Sequence, residues 1–237
     1  MGNLEAKGVI FGEATTLDDF FLQANMDGIL GLAFQSISSD HVIPVFEAFY
    51  QQGLIEDNSF SFYLTDLPGA EGSKLFFGGV DRRYFEGELS YHSLSSQDYW
   101  SLKLDGISIG DHMYGEGASS IIDSGTSLIL VSPQIYLEMG LPDSQEIDCG
   151  KIDSLPEVSF VYNGVYYPLT PKQYVLRLEM GREVQCIMGI EKGASWGTQV
   201  ILGDTFMKHY FTHWDYGNKK IGIAKAVPHN GKIAEDM

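Results

Sequence analysis

Residues 119 to 128, SSIIDSGTSL, carry two aliphatic residues straight into Asp123, followed by Ser124, Gly125 and Thr126. A carboxylate at the head of a glycine turn, with hydroxyls on either side, suits proton transfer. Glycine lets the backbone bend close enough for an amide to donate to the carboxylate, and the hydroxyls can donate as well. One carboxylate cannot act as both acid and base at one pH, so the pattern calls for a partner. Three other groupings could do chemistry. GASWG, residues 193 to 197, satisfies G-x-S-x-G, but a nucleophile elbow needs a strand before it and a helix after it. Here TQVILGD follows and reads as a strand, so the match is read as chance. His209 and His213 are four apart, as helical metal ligands can be, yet KHYFTHWDY alternates like a strand and offers no third ligand. Both are read as structural or surface histidines, and no metal or other cofactor is expected. Cys149 and Cys186 have neither CxxC spacing nor a nearby His pair; one disulfide closing a loop is the main reading, two buried thiols the other.

The elements that must position these residues follow from composition and pattern. A chain of 237 residues, 44% hydrophobic, with 27 Gly and 13 Tyr, is long enough for one large β domain or two lobes. Its formal net charge of −17 repels phosphate backbones and anionic lipid, so nucleic acid is excluded as a partner. A charge that shrinks as pH falls suits an acidic compartment. No apolar run approaches the 18 or so residues of a membrane span, and MGNLEAKGVIFGE lacks the basic and apolar regions of a signal peptide, so a soluble chain is expected.

Strand patterns dominate: SFSFYL (59–64), KLFFGGV (74–80), YWSLKLDGISIG (99–110) and VSFVYNGVYYPL (158–169). In the last, Asn163-Gly164 between alternating apolar residues predicts a type I′ hairpin. Two short helices are expected. One lies in HVIPVFEAFYQQGL, where Ile43, Phe46 and Tyr50 recur at helical spacing before Gly53; the other is SPQIYLEMG, with Ser132 capping and Pro133 at the first position. The end, VPHNGKIAEDM, reads as a loose polar tail. Two distant segments, MDGILGLAF (26–34) and TQVILGDTF (198–206), repeat a pair of aliphatics followed by glycine, a signature of close backbone passage.

Taken in order, the pairing of VIFGEA with DGILGLAF, SFSFYL with FGGVDRRYFEGEL, YWSLKLDGI, IIDSGTSLIL, CGKIDSLPEVSF and VILGDTFMKHYFTHWDYGNKKIGIA resemble the pepsin-like aspartic proteases, above all their cathepsin D and plasmepsin-like members. The resemblance runs from about residue 8 to about residue 226. It implies a mainly β, bilobal fold: residues 1–92 the back portion of an incomplete N-terminal lobe with the interlobe strands, 93–226 a complete C-terminal catalytic lobe, and 227–237 the tail. It implies an aspartic endopeptidase of the secretory, vacuolar, lysosomal or extracellular route, with no cofactor and a Cys149–Cys186 disulfide.

Family members carry two Asp-[Thr/Ser]-Gly turns and a flap hairpin; this chain has one such turn, at Asp123. Its start matches the point where the flap has ended and where the heavy chain of processed two-chain enzymes begins. The expected partner is therefore a companion N-terminal chain carrying the other Asp and the flap, besides a peptide or protein substrate. Two other arrangements share the pattern: a peptide-binding member without the carboxylate pair, and a homodimer lending one Asp123 per chain. Within the turn, the resemblance gives the Gly125 amide and Thr126 hydroxyl to the Asp123 carboxylate and sends Ser124 toward the opposite lobe. It sets Leu202 and Gly203 behind the loop, with Ile29, Leu30 and Gly31 doing the same for the first loop. Substrate-pocket walls are expected at Phe20, Met26 and Ile29 on one side and Tyr99, Ile121 and Ile201 on the other. Asp204 is placed to affect the site's proton affinity, although a solvated strand-end carboxylate is the plainer expectation.

Overall fold

The computed structural model describes residues 2, 4–19, 21, 26–65, 72–181, 183–193 and 199–228. Its strands form over the apolar runs rich in β-branched and aromatic residues, and several, such as Val158–Tyr162, are buried on both faces. Ser59–Tyr63 (β1) pairs with Lys74–Phe77 (β2) on one side. On its other side it takes Tyr210–Asp215 (β17), which hairpins into Lys220–Lys225 (β18), and Ser90–Ser93 (β3) completes the order β2-β1-β17-β18-β3. Strands from near residue 60 thus share a sheet with strands from near residue 220.

The sheet that carries Asp123 has six strands. Their order is Ile190–Lys192 (β15), Ile129–Val131 (β9), Val200–Leu202 (β16), Ser119–Ile122 (β8), Trp100–Lys103 (β5) and Ser96–Gln97 (β4). A four-stranded sheet orders Val165–Leu169 (β12), Val158–Tyr162 (β11), Gly106–Ile109 (β6) and His112–Tyr114 (β7). Its Asn163-Gly164 turn has φ of 51° and 74°, the left-handed pair of a type I′ hairpin, and the Gly164 amide donates to Asp105 Oδ2 at 2.7 Å. Glu146–Ile147 (β10), Glu183–Met188 (β14) and Val175–Met180 (β13) form a three-stranded sheet.

Both expected helices form. Val45–Gln51 (α1) ends at Gly53, φ 66°, where the Leu54 amide bonds the Phe49 carbonyl at 3.0 Å. Its buried face, however, is Phe46, Ala48 and Phe49, whereas Ile43 and Tyr50 are exposed. Pro44 caps the helix, so Ile43 precedes it, and the stripe that meets Phe60 and Phe77 of the sheet is one turn of α1. Pro133–Met139 (α2) begins after Ser132 and closes on left-handed Gly140, φ 64°. Pro171–Tyr174 (α3) carries a Thr170/Gln173 capping box, and Asp204–Met207 (α4) is a single turn.

One buried cluster runs from Phe34 to Ile223, joining the five-stranded sheet to the six-stranded and four-stranded ones. Its junction is aromatic. Phe60 stacks on Trp214 with ring centres 5.5 Å apart, Trp214 meets Trp100 edge to face at 5.1 Å, and Trp100 Nε1 donates to the Leu32 carbonyl at 3.0 Å. Such ring pairs add about 0.5–1.5 kcal/mol each beyond the area they bury. Before Ser59 no strand occurs among the described residues. Phe34 is buried between Trp100 and Tyr216. Upstream of it Phe11 and Ile29 are 85% and 80% exposed, and Met26 and Leu30 are exposed too. Phe11, Met26, Ile29 and Leu30 thus form apolar surface upstream of the buried Phe34; Phe20 lies outside the described residues, as does the tail from residue 229. No helix among the described residues is long and apolar enough to cross a membrane.

His92 of β3 is buried against the four-stranded sheet, with Nε2 2.6 Å from the Tyr167 hydroxyl and Nδ1 without a hydrogen-bond partner among the described residues. Burial holds its pKa below the ordinary 6.5, with Asp105 pulling weakly the other way. The neutral ring is what the fold accepts, so the contribution is full above the unfolded value near 6.5 and is lost as pH falls through it toward the folded value. The melting temperature should drop from pH 7 to pH 5, and His92→Phe should drop less over the same interval. The difference is at most about 1.4 kcal/mol per pH unit. Identical pH slopes for the two proteins would show that His92 carries none of this dependence.

Candidate active site

Asp123 follows β8 directly. That strand lies parallel to β16, with Ile121 opposite Ile201 and Ile122 opposite Leu202, and the Asp123 amide extends the ladder by donating to the Leu202 carbonyl at 3.0 Å. The chain then turns back on itself. The Gly125 amide donates to Asp123 Oδ1 at 2.9 Å, and the Thr126 hydroxyl donates to Oδ2 at 2.6 Å, so each carboxylate oxygen has its own donor. Gly125 matters here for closeness, since a Cβ on it would stand 3.1 Å from Oδ1. Ser124 and Gly125 are exposed and Asp123 is half-buried, which leaves the outer side of the turn open.

The inner side is closed by backbone. A Cβ at Gly203 would collide with the carbonyls of Thr126 and Leu128, so only glycine lets the end of β16 pass behind the loop. Beyond it the Asp204 amide bonds the Thr126 carbonyl at 2.8 Å, and the Thr205 amide and hydroxyl both bond the Ser127 carbonyl at 3.0 Å. Under β8, Ser120 Oγ bonds the Leu102 carbonyl at 3.1 Å and the Tyr162 hydroxyl at 2.8 Å, satisfying hydroxyls inside an apolar layer. Sequence reasoning passed over Ser120 and Thr205. Their only signal was a hydroxyl set among aliphatic neighbours in SSII and GDTF.

Asp204 is no solvated strand end. It opens α4, is half-buried, and its Oδ1 is buried without a hydrogen-bond partner among the described residues. Burial pushes its pKa up to about 6; Lys208 opposes this and the charge of Asp123 adds to it. Of the expected pocket walls, Ile121 and Ile201 are cross-strand neighbours beneath the loop, 8% and 9% exposed, and Tyr99 lies half-open on the turn before β5. Met26 and Ile29 stand in the strand-free segment before Phe34 and share no sheet with Asp123.

The competing groupings do not assemble. His209 Nε2 meets the Gln173 carbonyl at 3.1 Å, His213 Nδ1 meets the Tyr91 hydroxyl at 2.8 Å, and among the described residues no three His, Cys, Asp or Glu side chains gather as a metal site. Residues 194–197 of the GASWG stretch lie outside the described residues, and the next described element is strand β16 rather than a helix. Cys149 and Cys186 form a disulfide, Cα atoms 5.4 Å apart, that ties the short helical segment after β10 to β14.

A mainly β fold of several sheets with a carboxylate held in an Asp-Ser-Gly-Thr turn is similar to the aspartic-protease type. The family described as eukaryotic aspartyl protease matches residues 1–226, and the chain belongs to that family. It is 36% identical over 242 residues to cathepsin D of Chionodraco hamatus, covering 95% of this chain and 61% of the relative. Against pepsin II-1 of Oryctolagus cuniculus it is 35% identical over 241 residues, covering 96% and 61%. Against human cathepsin D it is 35% identical over 243 residues, covering 96% and 59%. The chain thus spans about three-fifths of the length of these curated relatives.

Two substitutions test the geometry. Thr126→Val removes the donor to Oδ2 and should cost about 1–2 kcal/mol in denaturant unfolding, with Thr126→Ser recovering most of it. Equal stability of all three proteins would mean that the bond carries no weight. Asp204 should titrate near pH 6 when followed through its carboxyl carbon by NMR, and a midpoint near 4 would show that its burial is not felt.

Proposed function

We propose that this chain supplies the C-terminal catalytic lobe, residues 93–226, and the back portion of the N-terminal lobe, residues 1–92, of an acid-acting aspartic endopeptidase. Asp123 is one of its two catalytic carboxylates. The observation that carries the reading is the Asp123 turn: both oxygens are held from within the loop while the outer side stays open for a facing carboxylate, a water and a peptide. Two close carboxylates disfavour double ionisation and share one proton. The ionised one takes a proton from water as the water attacks the peptide carbonyl. The protonated one donates to the forming oxyanion, and no covalent intermediate arises. The preset donors Gly125 and Thr126 fix the orientation of Asp123 before substrate arrives, and Gly203 together with the Asp204 and Thr205 amides fixes the loop. Ser124 is the residue assigned to bridge to the facing turn.

The second carboxylate comes from an N-terminal companion segment that also carries the flap; its support is the single Asp-Ser-Gly in the sequence and the three-fifths coverage of relatives. The residues assigned to the cleft, the exposed Tyr99, Met26 and Ile29 together with Ile121 and Ile201 beneath the Asp123 loop, favour bulky hydrophobic residues flanking the cut bond. Asp204, neutral below about pH 6, adds a negative charge near Asp123 only above it, which favours work in acid. The disulfide and the −17 charge suit an oxidising, acidic compartment on the secretory route.

The protein isolated undenatured from its source should have a native mass exceeding this chain and contain a second Asp-[Thr/Ser]-Gly. Asp123→Asn in that assembly should lower acid peptidase turnover by about a thousandfold or more at unchanged melting temperature. Acid peptidase activity that survives Asp123→Asn would sink the assignment. A lone 26.3 kDa monomer without activity would turn the reading toward a peptide-binding member of the family.

A further inference from the structure

Three residues before Asp123, β8 turns Ser120 away from the face that carries Ile121 and toward the four-stranded sheet. Its hydrogen bonds run in one direction. Ser120 Oγ donates its single proton to the Leu102 carbonyl of β5 at 3.1 Å, so the Tyr162 hydroxyl, 2.8 Å away, is the donor to Ser120 Oγ. Ser120, Leu102 and Tyr162 are all fully buried. Burial pushes the Tyr162 pKa well above its ordinary 10, so the donor keeps its proton at neutral and acid pH.

Tyr162 ends β11, and Tyr167 of β12 lies opposite Phe160, so both rings project from one face of the four-stranded sheet with their centres 6.1 Å apart. Each phenol reaches a different neighbouring sheet. Tyr162 meets Ser120 of the six-stranded sheet, and Tyr167 meets His92 of the five-stranded one. Around them the core is apolar, with Phe160, Ile122, Leu104 and Phe206 in the same cluster. Apolar packing fills space without fixing direction, and repacked cores lose a unique arrangement before they lose stability. A hydrogen bond weakens steeply when misaligned, so it fixes what packing leaves free. Ser120 is paired on both sides, opposite Val200 of β16 and Leu102 of β5, and a shift there is carried along the strand to Asp123.

We infer that Tyr162 is a positioning residue for Asp123: through its bond to Ser120 it sets where β8 stands above the four-stranded sheet, and hence where the carboxylate meets the facing one. This deepens the reading of Asp123 as one of a catalytic pair and rests on it. Tyr162 touches no reacting atom. Its effect falls on turnover, because attack by water requires the two carboxylates in close register, and small misplacements from sites away from the chemistry are costly to rate.

Tyr162→Phe and the double variant Ser120→Ala/Tyr162→Phe, made in the assembly used for Asp123→Asn, test the assignment. Removing one partner of a buried bond leaves a polar atom unpaired, whereas replacing both by apolar groups is close to neutral for stability. With rates counted per folded molecule, both variants should lose turnover on the order of tenfold while KM changes less than about twofold. The double variant should melt near the parent and still be as slow as Tyr162→Phe. A purely structural bond gives the opposite pattern, turnover returning together with stability in the double variant, and that result would overturn the inference. Unchanged turnover in Tyr162→Phe, or a loss carried by KM, would overturn it as well. Residue-resolved amide exchange on this chain alone measures the same seating without any activity. The Asp123 and Gly125 amides should exchange about tenfold faster in the double variant, with β17 and β18 unchanged; equal rates at Asp123 and Gly125 in parent and variant would reject the assignment. An inactive parent assembly would instead sink the endopeptidase reading, and the exchange rates would still decide whether Tyr162 seats Asp123.

Discussion

The parallel ladder between β8 and β16, carried one residue further by the Asp123 amide on the Leu202 carbonyl, is the constraint on which the site depends. Two parallel strands present their ends at the same level, so the loop after β8 and the chain after β16 must lie side by side. Gly203 makes that possible, because any side chain there would occupy the space of the Thr126 and Leu128 carbonyls. Once the two backbones touch, the loop's carbonyls find donors at Asp204 and Thr205, and the loop's own amide and hydroxyl are left to the Asp123 carboxylate. The geometry of one side chain is thus settled by contact between segments 78 residues apart at Ser127 and Thr205.

The surrounding fold keeps that ladder rigid by burial. Ile121, Ile122, Ile201 and Leu202 lie under the loop, and the Ser120–Tyr162 pair shows how a hydroxyl can sit in such a layer at no loss, by spending each polar atom on a partner. Beyond them the aromatic junction of Phe60, Trp100 and Trp214 couples the site's sheet to the five-stranded sheet, so the strands near residues 60 and 220 are part of the same packed unit. The segment before Phe34 contrasts with this. It is anchored through Leu32 and Phe34 and, nearer its start, by Leu4 and Ala6 against the core and by Lys7 on Gln52, while among the described residues Phe11, Ile29 and Leu30 face solvent.

Electrostatics divides the molecule into groups that a fall in pH suits and groups that it strains. Asp204, desolvated and near Asp123, prefers to be neutral, so acid suits it. His92 and His213 are buried where the neutral ring is preferred, so acid strains them. Asp204 lies beside the Asp123 turn and the two histidines on the five-stranded sheet, so one fall in pH acts in opposite senses at the two places.

Much of this was legible in the residues themselves. Local chemistry sets the type I′ turn at Asn163-Gly164, the Gly53 and Gly140 helix ends and the period-two strands, because each depends on neighbours a few positions away. The Asp-Ser-Gly-Thr turn is local in the same sense: its carboxylate and both its donors lie within four residues. What a linear reading misjudged or passed over is non-local. Ile43, Phe46 and Tyr50 fit a helical stripe equally well on paper, but the sheet's position selects Phe46 and Phe49. Asp204 reads as a solvated strand end until the fold desolvates it, and Thr205 reads as nothing until the loop's carbonyls come to lie over it. Spacing along a chain specifies which groups can be neighbours on one element, whereas burial, proton affinity and contact between distant backbones come into being only when the elements pack.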